Sequence, residues 1–203
     1  MNKNDLRAQR TFHKINKHFK ILMSTVGYQK INVAMITDKA SMNRSTFYSH
    51  FKDKRDLYEY HLNQIIDLFD FYSIFDIGLK PFHKLSKEDQ DELCDKMGEA
   101  LTTFKEEKDF ILAMMDVEDV HNLTKSYINH GDKDFKRNRE TMKFKRGSVD
   151  VPVDLIINFG VGMFISVIKW WLIEEPQLTP REVGEVLLHI FYALPLNVEQ
   201  PAH

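Results

Sequence analysis

Residues 31–51, INVAMITDKASMNRSTFYSHF, decide the fold because they predict two short helices joined by a tight turn. Asn32 is a favourable N-cap for a helix over 33–40, and Asn43 is one for a helix from 44 to about 50. Between them, Ser41 and Met42 form the turn. Two capped helices separated by three or four residues are typical of a helix-turn-helix unit.

The second of these helices has one apolar side and one polar side. Phe47 and Phe51 lie four residues apart, so both side chains face the same way, while Ser45 and Ser49 lie opposite. Small or planar hydrogen-bonding side chains can enter a DNA major groove without an apolar mismatch. The pattern therefore predicts a helix that reads DNA.

Charge is distributed unevenly along the chain. Residues 1–57 contain twelve lysines and arginines but only four acids, a formal charge of +8. Because the net charge of the chain is −2, the remaining residues carry a formal charge of −10. This predicts a polyanion-binding head on a body that does not bind polyanions. A lysine-rich solvated helix face would give the same count, so charge alone does not decide.

Composition indicates a helical globular protein. Of 203 residues, 43% are hydrophobic and 29% charged, which excludes a disordered chain, and the 8 glycines and 6 prolines leave room for long helices. The single Cys94 excludes an intramolecular disulfide and a zinc site of paired cysteines.

Helical patterns continue on both sides of the opening stretch. Apolar spacing and capping residues predict about nine helices and no convincing strand, with the helices outside 31–51 over 5–26, 54 to about 72, 86 to about 104, 109–115, 117–145, 152–174 and 179–194. Residues 71–85 contain Gly78 and Pro81 and are predicted to form a loop.

No segment predicts a membrane partner. The most apolar run, residues 155–168, is fourteen residues long, whereas a bilayer needs about 20. The N-terminus has charges throughout and no apolar core, unlike a signal peptide. The expected location is the cytoplasm.

Residues 10 to about 60 resemble the N-terminal domain of the TetR family of bacterial transcriptional regulators. The matching residues are Gly27, Tyr28, Ile36, Ala40, Arg44, Ser45, Thr46, Phe47, Tyr48, His50, Phe51, Lys54 and Leu57. The resemblance implies an all-α homodimer with a three-helix DNA-binding domain over 1–60. It also implies a larger helical bundle over 61–203 for regulation and for dimerisation through the last two long helices.

The resemblance also implies roles for individual residues. Arg44 would reach a base edge such as guanine, Thr46 a thymine methyl or a phosphate, and Lys54 a phosphate at the start of the fourth helix. The whole candidate DNA-binding set is Lys30, Asn43, Arg44, Ser45, Thr46, Tyr48, His50 and Lys54. Tyr48 could instead be core, His50 a capping residue, and Arg44 a surface ion-pair partner of Asp38 or Asp56.

Three positions depart from the family's pattern. Thr37 stands where alanine is usual, Ser41 where glycine is usual, and Ala34 where a basic residue is frequent. A DNA contact from Ala34 would therefore be missing, with Lys30 or Lys39 as substitutes.

The helix predicted from residue 152 is apolar nearly all round, which is typical of a helix buried on several sides. Together with the last helix it predicts a four-helix dimer interface, for which a monomer core is the alternative. The candidate interface residues are Phe159, Met163, Trp170, Trp171, Val183, Leu187, Ile190 and Phe191. Gly160 and Gly162 would allow close helix approach.

The body gives weaker signals for a ligand. Candidates to line an apolar effector pocket are Met97, Phe104, Phe110, Met114 and His121, which are as readily explained as core. The basic stretch 133–146 fits a solvated helix or a second phosphate-binding face. No catalytic motif, metal site or cofactor site is recognised, and acidic neighbours should raise the pKa of Cys94, which disfavours a nucleophile.

We therefore expect a regulator, not an enzyme, that binds a palindromic operator in double-stranded DNA through residues 32–51. Repression with release by an apolar small molecule is the expected mode of action. The alternative is a protein-binding co-regulator that activates with weak DNA affinity. DNA binding that weakens steeply with salt would distinguish the two.

Overall fold

The computed structural model of the chain describes residues 3–68, 84–131, 136, 140, 143–193 and 197–199. These residues form nine α-helices: α1 Lys3–Val26, α2 Val33–Lys39, α3 Arg44–Tyr48, α4 Lys54–Leu68, α5 Lys87–Glu106, α6 Lys108–Met115, α7 Val120–His130, α8 Val153–Glu174 and α9 Pro180–Tyr192. The predicted all-α class and helix number are confirmed for this part of the chain. Most of the predicted 71–85 loop lies outside the described residues.

The chain divides into two compact units. The first comprises Met1–Ile65 with Glu107–Val117, and the second comprises Ile66–Glu106 with Glu118–His203. The predicted boundary after residue 60 falls inside α4, and α6, predicted as part of the body, lies in the first unit.

The first unit is organised around the apolar side of α1. Ile15, Phe19, Leu22 and Met23 are at most 1% exposed, as expected for residues that recur at helical spacing. The helix ends at Gly27, whose positive φ of 80° favours glycine. As predicted, Asn32 caps α2, its side-chain oxygen accepting a hydrogen bond from the Met35 amide at 3.0 Å.

Helix α6 belongs to the first unit through contacts with α1 and α4. Lys20 of α1 forms an ion pair with Glu107, which directly precedes α6, and its ammonium lies 5.1 Å from the centre of the Phe110 ring. The Phe110 ring in turn meets the His61 ring edge to face, with centroids 5.2 Å apart. These contacts bind residues distant in sequence, so no local pattern indicates them.

His61 is a buried titratable group of this core. Its ring is 5% exposed and stacks on Phe19 at 5.3 Å, and its Nε2 atom has no hydrogen-bond partner among the described residues. Burial lowers the pKa of His61 to about 3, with the Lys20 charge as a second cause. His61 is therefore neutral in the folded protein at pH 7.

The second unit is held together by close helix packing at glycines. A Cβ at Gly160 of α8 would lie 2.8 Å from the Phe191 ring of α9, and one at Gly184 of α9 would lie 2.6 Å from Met97 of α5. The predicted close approach at Gly160 is confirmed. The capping box predicted at the start of α9 is also present, with the Glu182 amide donating to Thr179 Oγ1 at 3.2 Å.

A small antiparallel sheet corrects two predictions, that of no strand and that of a helix continuing to residue 145. Helix α7 ends at His130, and strands β1 Lys143–Arg146, β2 Val149–Val151 and β3 Asn197–Glu199 pair in the order β2-β1-β3. The β1–β2 register pairs Arg146 with Val149 across a two-residue turn. Gly147 in that turn has φ 62°, so Gly-Ser after a strand-like run was the missed hairpin signal.

One described helix, Val153–Glu174, is long and apolar enough to cross a membrane by length and composition alone. A helix of the interior or of a protein interface satisfies the same criterion. The burial of individual α8 residues, given below, distinguishes its inward and outward faces.

The turn between α2 and α3 contains a strained residue. Ser41 has φ 52°, in the left-handed region where glycine is favoured and where the sequence departs from the TetR pattern. The strain of a non-glycine residue in this region is about 1–2 kcal/mol.

We expect Ser41→Gly to raise the free energy of unfolding of the first unit by up to about 1 kcal/mol, because it relieves this strain. Ser49→Gly is the matched control, since Ser49 has an ordinary helical φ of −75° and glycine there should lower stability by about 0.5–1 kcal/mol. Urea unfolding followed by circular dichroism measures both. Equal destabilisation by the two changes would contradict the strain at Ser41.

We also expect stability to fall with acid because of His61. Its pKa is depressed in the folded state, so the unfolded chain takes up a proton below about pH 6.5 that the folded chain does not take up until about pH 3. Between pH 7 and pH 5 the free energy of unfolding should therefore fall by about 2 kcal/mol.

His61→Phe should remove this part of the pH dependence and keep the aromatic packing, whereas His13→Gln, at an exposed position of α1, should retain it. Urea midpoints at the two pH values provide the comparison. An unchanged pH dependence in His61→Phe would show that another group is responsible.

Candidate nucleic-acid interface

Helix α3 is a five-residue helix anchored by one aromatic side chain. Phe47 is fully buried and contacts the Phe51 ring, with centroids 5.9 Å apart. The predicted helix to about residue 50 is shorter in the structure, since Ser49 is its C-cap. The shared inward side of Phe47 and Phe51 is confirmed.

The other side of α3 is polar and exposed. Tyr48 is 55% exposed, with its ring edge against Phe47 at 5.5 Å, so the alternative of a core role for Tyr48 is excluded. Arg44 is exposed and forms no ion pair with any described acid. The exposed candidate residues here are Asn43, Arg44, Ser45 and Tyr48, with Ser49 beside them.

An acidic and a hydroxyl side chain near this surface form hydrogen bonds with nearby backbone groups. The Asp56 carboxylate accepts from the Lys52 amide at 2.8 Å and makes no ion pair with Arg44, while Asp53 caps α4 by accepting from the Asp56 amide at 2.9 Å. The Ser49 hydroxyl donates to the Thr46 carbonyl at 2.8 Å. Arg44 therefore keeps its guanidinium available to an external acceptor.

His50 and Thr46 are placed at the edges of the same surface. His50 is half-buried, and its ring lies 6.0 Å from the Phe12 ring of α1, which fixes its position beside α3. Thr46 is half-buried and lies between the buried and exposed sides of the helix. Both side chains are partly accessible beside the exposed residues of α3.

Lys54 has a structural contact that the sequence did not indicate. Its ammonium donates a hydrogen bond to the Tyr28 carbonyl at 2.9 Å and lies 4.2 Å from the centre of the Tyr28 ring. Burial lowers the pKa of Lys54. Lys54 thus ties the 3-10 turn Tyr28–Lys30 to the start of α4, and its two remaining N–H donors can serve a phosphate.

The departures from the family pattern at Thr37 and Ala34 have different consequences. Thr37 is buried, but its hydroxyl donates to the Val33 and Ala34 carbonyls at 3.0 Å, so it replaces an alanine without an unpaired polar group. Ala34 supplies no charge. Lys30 and Lys39, on either side of it in sequence, are both exposed.

The candidate effector residues are divided between the two units. Phe110 and Met114 are buried in the first unit, whereas Met97 and Phe104 are buried in the second. His121 is exposed. Met97 packs on Gly184, and the Phe104 ring meets Phe164 at 6.3 Å, so each has a core partner in its own unit.

The candidate interface residues fall into two groups. The structure buries Trp171, Val183, Leu187 and Phe191 inside the second unit, so we revise these four from interface to core. Phe159, Trp170 and Ile190 are 46–49% exposed, and Met163 is half-buried. Burial cannot be assigned from sequence on a helix that is apolar all round. Three further large apolar residues of the last two helices, outside the candidate set, are exposed: Leu155, Ile173 and Val186.

Cys94 offers no nucleophile. It is buried, and burial raises the pKa of its thiol, with Glu185, Asp91 and Asp95 adding to the rise and Arg181 opposing it. The predicted direction is confirmed, although burial is a larger cause than the carboxylates.

Comparison with known proteins supports a regulator. Residues 20–60 match the model for bacterial regulatory proteins of the tetR family. No curated protein sequence matches the chain significantly.

Several solved structures share the fold. A TetR transcriptional regulator from Streptococcus agalactiae 2603V is 25% identical with a TM-score of 0.57, over 93% of this chain and 97% of that one. A tetR-family regulator from Streptomyces coelicolor is 18% identical with a TM-score of 0.50, over 88% and 79%. The regulator FadR from Bacillus subtilis, in complex with stearoyl-CoA, is 12% identical with a TM-score of 0.55, over 90% and 98%.

At 18% and 12% identity, the similarities to the S. coelicolor and B. subtilis proteins show only that the fold is shared. Residues 20–60 therefore match the DNA-binding part of tetR-family regulatory proteins, and the fold of the described residues is similar to that of TetR transcriptional regulators.

Proposed function

We propose that the chain is a homodimer whose two copies of α3 read a palindromic operator in the major groove. The observation that carries this proposal is the division of α3 into a buried anchor, Phe47, and an exposed face that includes Arg44 and Tyr48. Exposed polar groups on a helix with a single buried anchor can approach base edges without disturbing the core.

Each exposed residue has a chemical role in this proposal. Arg44, which forms no ion pair with an acid in the described part of the chain, donates two parallel hydrogen bonds to guanine O6 and N7. Ser45, Thr46 and Tyr48 contact bases or phosphates along the groove. The remaining candidates, Lys30, Asn43, His50 and Lys54, hold the phosphate backbone on either side.

Dimerisation is supported by an exposed apolar stripe on α8. Its outward positions follow one another at intervals of three or four residues, which keeps them within about 80° of arc, and they are Leu155, Phe159, Met163, Ser166, Trp170 and Ile173. Val186 and Ile190, four residues apart on α9, are also exposed. A second copy of the same surface would cover these side chains through a two-fold axis.

A two-fold protein matches a two-fold operator. In dimeric helix-turn-helix proteins the reading helices lie about 34–36 Å apart, which places them in successive major grooves on one side of the duplex. The stripe on α8 and the polar face of α3 therefore support the same proposal from different units.

We further propose repression, with release by an apolar small molecule bound in the second unit. The FadR structure from B. subtilis contains stearoyl-CoA, so one protein of this fold accommodates a long acyl chain. Loss of operator affinity on addition of the ligand is the signature of this mode of control.

The alternative of a protein-binding co-regulator depends on the missing charge at Ala34. Exposed Lys30 and Lys39 flank this position in sequence and compensate for it, which favours direct DNA binding. The salt dependence of binding separates the two, because phosphate contacts release counterions and protein contacts do not.

The operator experiment selects bound sequences from random duplex DNA and then measures the affinity of the protein for the preferred sequence. We expect Arg44→Ala to lower that affinity about 5- to 150-fold and to relax the preference at one base pair in each half-site. Tyr48→Ala should also weaken operator binding while leaving the fold intact, since its side chain is mostly exposed.

Arg55→Ala is the matched control. It removes the same charge from the same unit, at a residue paired with Glu59 at 2.7 Å, and should change operator affinity little. Unchanged binding in both Arg44→Ala and Tyr48→Ala would remove α3 as the reading helix. Lys54→Ala is less informative because its contact with Tyr28 also supports the fold.

A second experiment tests the dimer. We expect Phe159→Glu and Ile190→Glu to raise the dimer dissociation constant about 100-fold or more, because each would place an unpaired charge in the apolar interface. Val149→Glu, at a more exposed position on β2, is the control and should leave the dimer unchanged. Sedimentation velocity measures the oligomeric state, and a monomeric wild-type chain would contradict the proposed interface.

A further inference from the structure

A basic stripe runs along α1, outside the candidate site on α3. Arg7, Arg10, Lys14 and Lys17 are spaced by three, four and three residues, which places them within about 80° of arc on the helix. All four are exposed. The stripe is about 15 Å long at 1.5 Å per residue.

The charges of this basic stripe are not neutralised by the described part of the chain. None of its four residues has a salt bridge there, whereas exposed cations on other helices face acids four residues away, as in Arg55–Glu59, Lys87–Asp91 and Lys96–Glu92. Like charges three and four residues apart destabilise a helix. An external polyanion would relieve this repulsion.

The positive surface extends from α1 to α2. Burial lowers the pKa of His18, and Lys17, Lys39 and Lys14 lower it further, in that order. Lys39 is the last residue of α2 and precedes the turn that leads to α3. The basic stripe thus continues electrostatically onto the helix-turn-helix.

The dimensions and chemistry fit duplex DNA. The phosphates of one strand succeed one another about every 3.4 Å along the helix axis, so a stripe of about 15 Å spans about four of them. At the middle of the stripe, the Phe12 ring of α1 lies 6.0 Å from the His50 ring beside α3, so packed side chains connect α1 to the end of the helix-turn-helix.

We propose that this basic stripe binds the phosphate backbone of duplex DNA flanking the half-site read by α3. The inference rests on the proposed operator binding and adds a sequence-independent contact that lengthens the DNA footprint. The stripe then increases affinity for an operator embedded in longer DNA without changing which bases are preferred.

The test compares the selected operator alone with the same operator carrying about 15 additional base pairs on each side, which is more than one helical turn. The variant replaces all four residues by glutamine: Arg7→Gln, Arg10→Gln, Lys14→Gln and Lys17→Gln. The matched control removes four exposed charges from the second unit: Lys84→Gln, Lys87→Gln, Lys96→Gln and Lys125→Gln.

We expect the wild-type chain and the control to bind the longer duplex more tightly and with a steeper salt dependence. The stripe variant should bind the longer duplex about tenfold or more weakly, and its logarithmic salt slope should fall by about 0.9 for each phosphate that it no longer neutralises. Its sequence preference should remain that of the wild type.

Several results would overturn the inference. A wild-type chain with no sequence preference would end both the proposed function and this inference, whereas a stripe variant equal to the wild type would end the inference alone. An equal weakening in the control would indicate general charge steering. Stripe-dependent binding to vesicles of anionic phospholipid, with DNA affinity unchanged, would assign the stripe to a membrane surface.

A second measurement covers the case in which the stripe variant fails to fold. Chemical acetylation of the wild-type chain should be slowed at Lys14 and Lys17 by the longer duplex and not by the operator alone. Equal acetylation with both duplexes would contradict the flanking contact.

Discussion

The burial of Phe47 is the interaction on which the exposed polar surface of α3 depends. A helix of five residues has almost no stability of its own, because forming the first turn fixes several residues for a single hydrogen bond. Complete burial of one phenylalanine side chain contributes about 1.5–3 kcal/mol, which offsets part of the entropy cost of ordering so short an element. The orientation of Arg44 and Tyr48 therefore follows from where Phe47 is anchored.

The burial of Phe47 is supported by aromatic side chains of α1 and of other helices distant in sequence. Phe51 stacks on Phe12 at 5.6 Å, and Phe12 also meets Tyr60 of α4 edge to face at 5.2 Å. Beyond these rings, His61 continues the cluster to Phe110 of α6. Helix α3 is thus one end of a connected aromatic core that reaches α6.

Helix α8 shows how one apolar sequence serves two purposes. Ile168, Trp171 and Leu172 face the core of the second unit, while the adjacent Trp170 and Ile173 are exposed. Hydropathy averaged over the helix cannot separate these faces, since both are apolar, and this is why α8 satisfies the length and composition of a membrane span. Packing against α9 at Gly160 selects the inward face and leaves the other for a second copy in the proposed dimer.

The amino-acid sequence by itself determined the helix-turn-helix, the polar face of α3 and the caps at Asn32 and Thr179, because each depends on spacing or on hydrogen bonds within a few residues. It also determined the helical class, since few turn-forming residues interrupt the apolar periodicity. Tertiary structure alone decided the placement of α6 with the first unit, the contact of Lys54 with Tyr28 and the outward face of α8. These depend on which distant side chains meet, and the free energy of such contacts is not encoded in any local pattern.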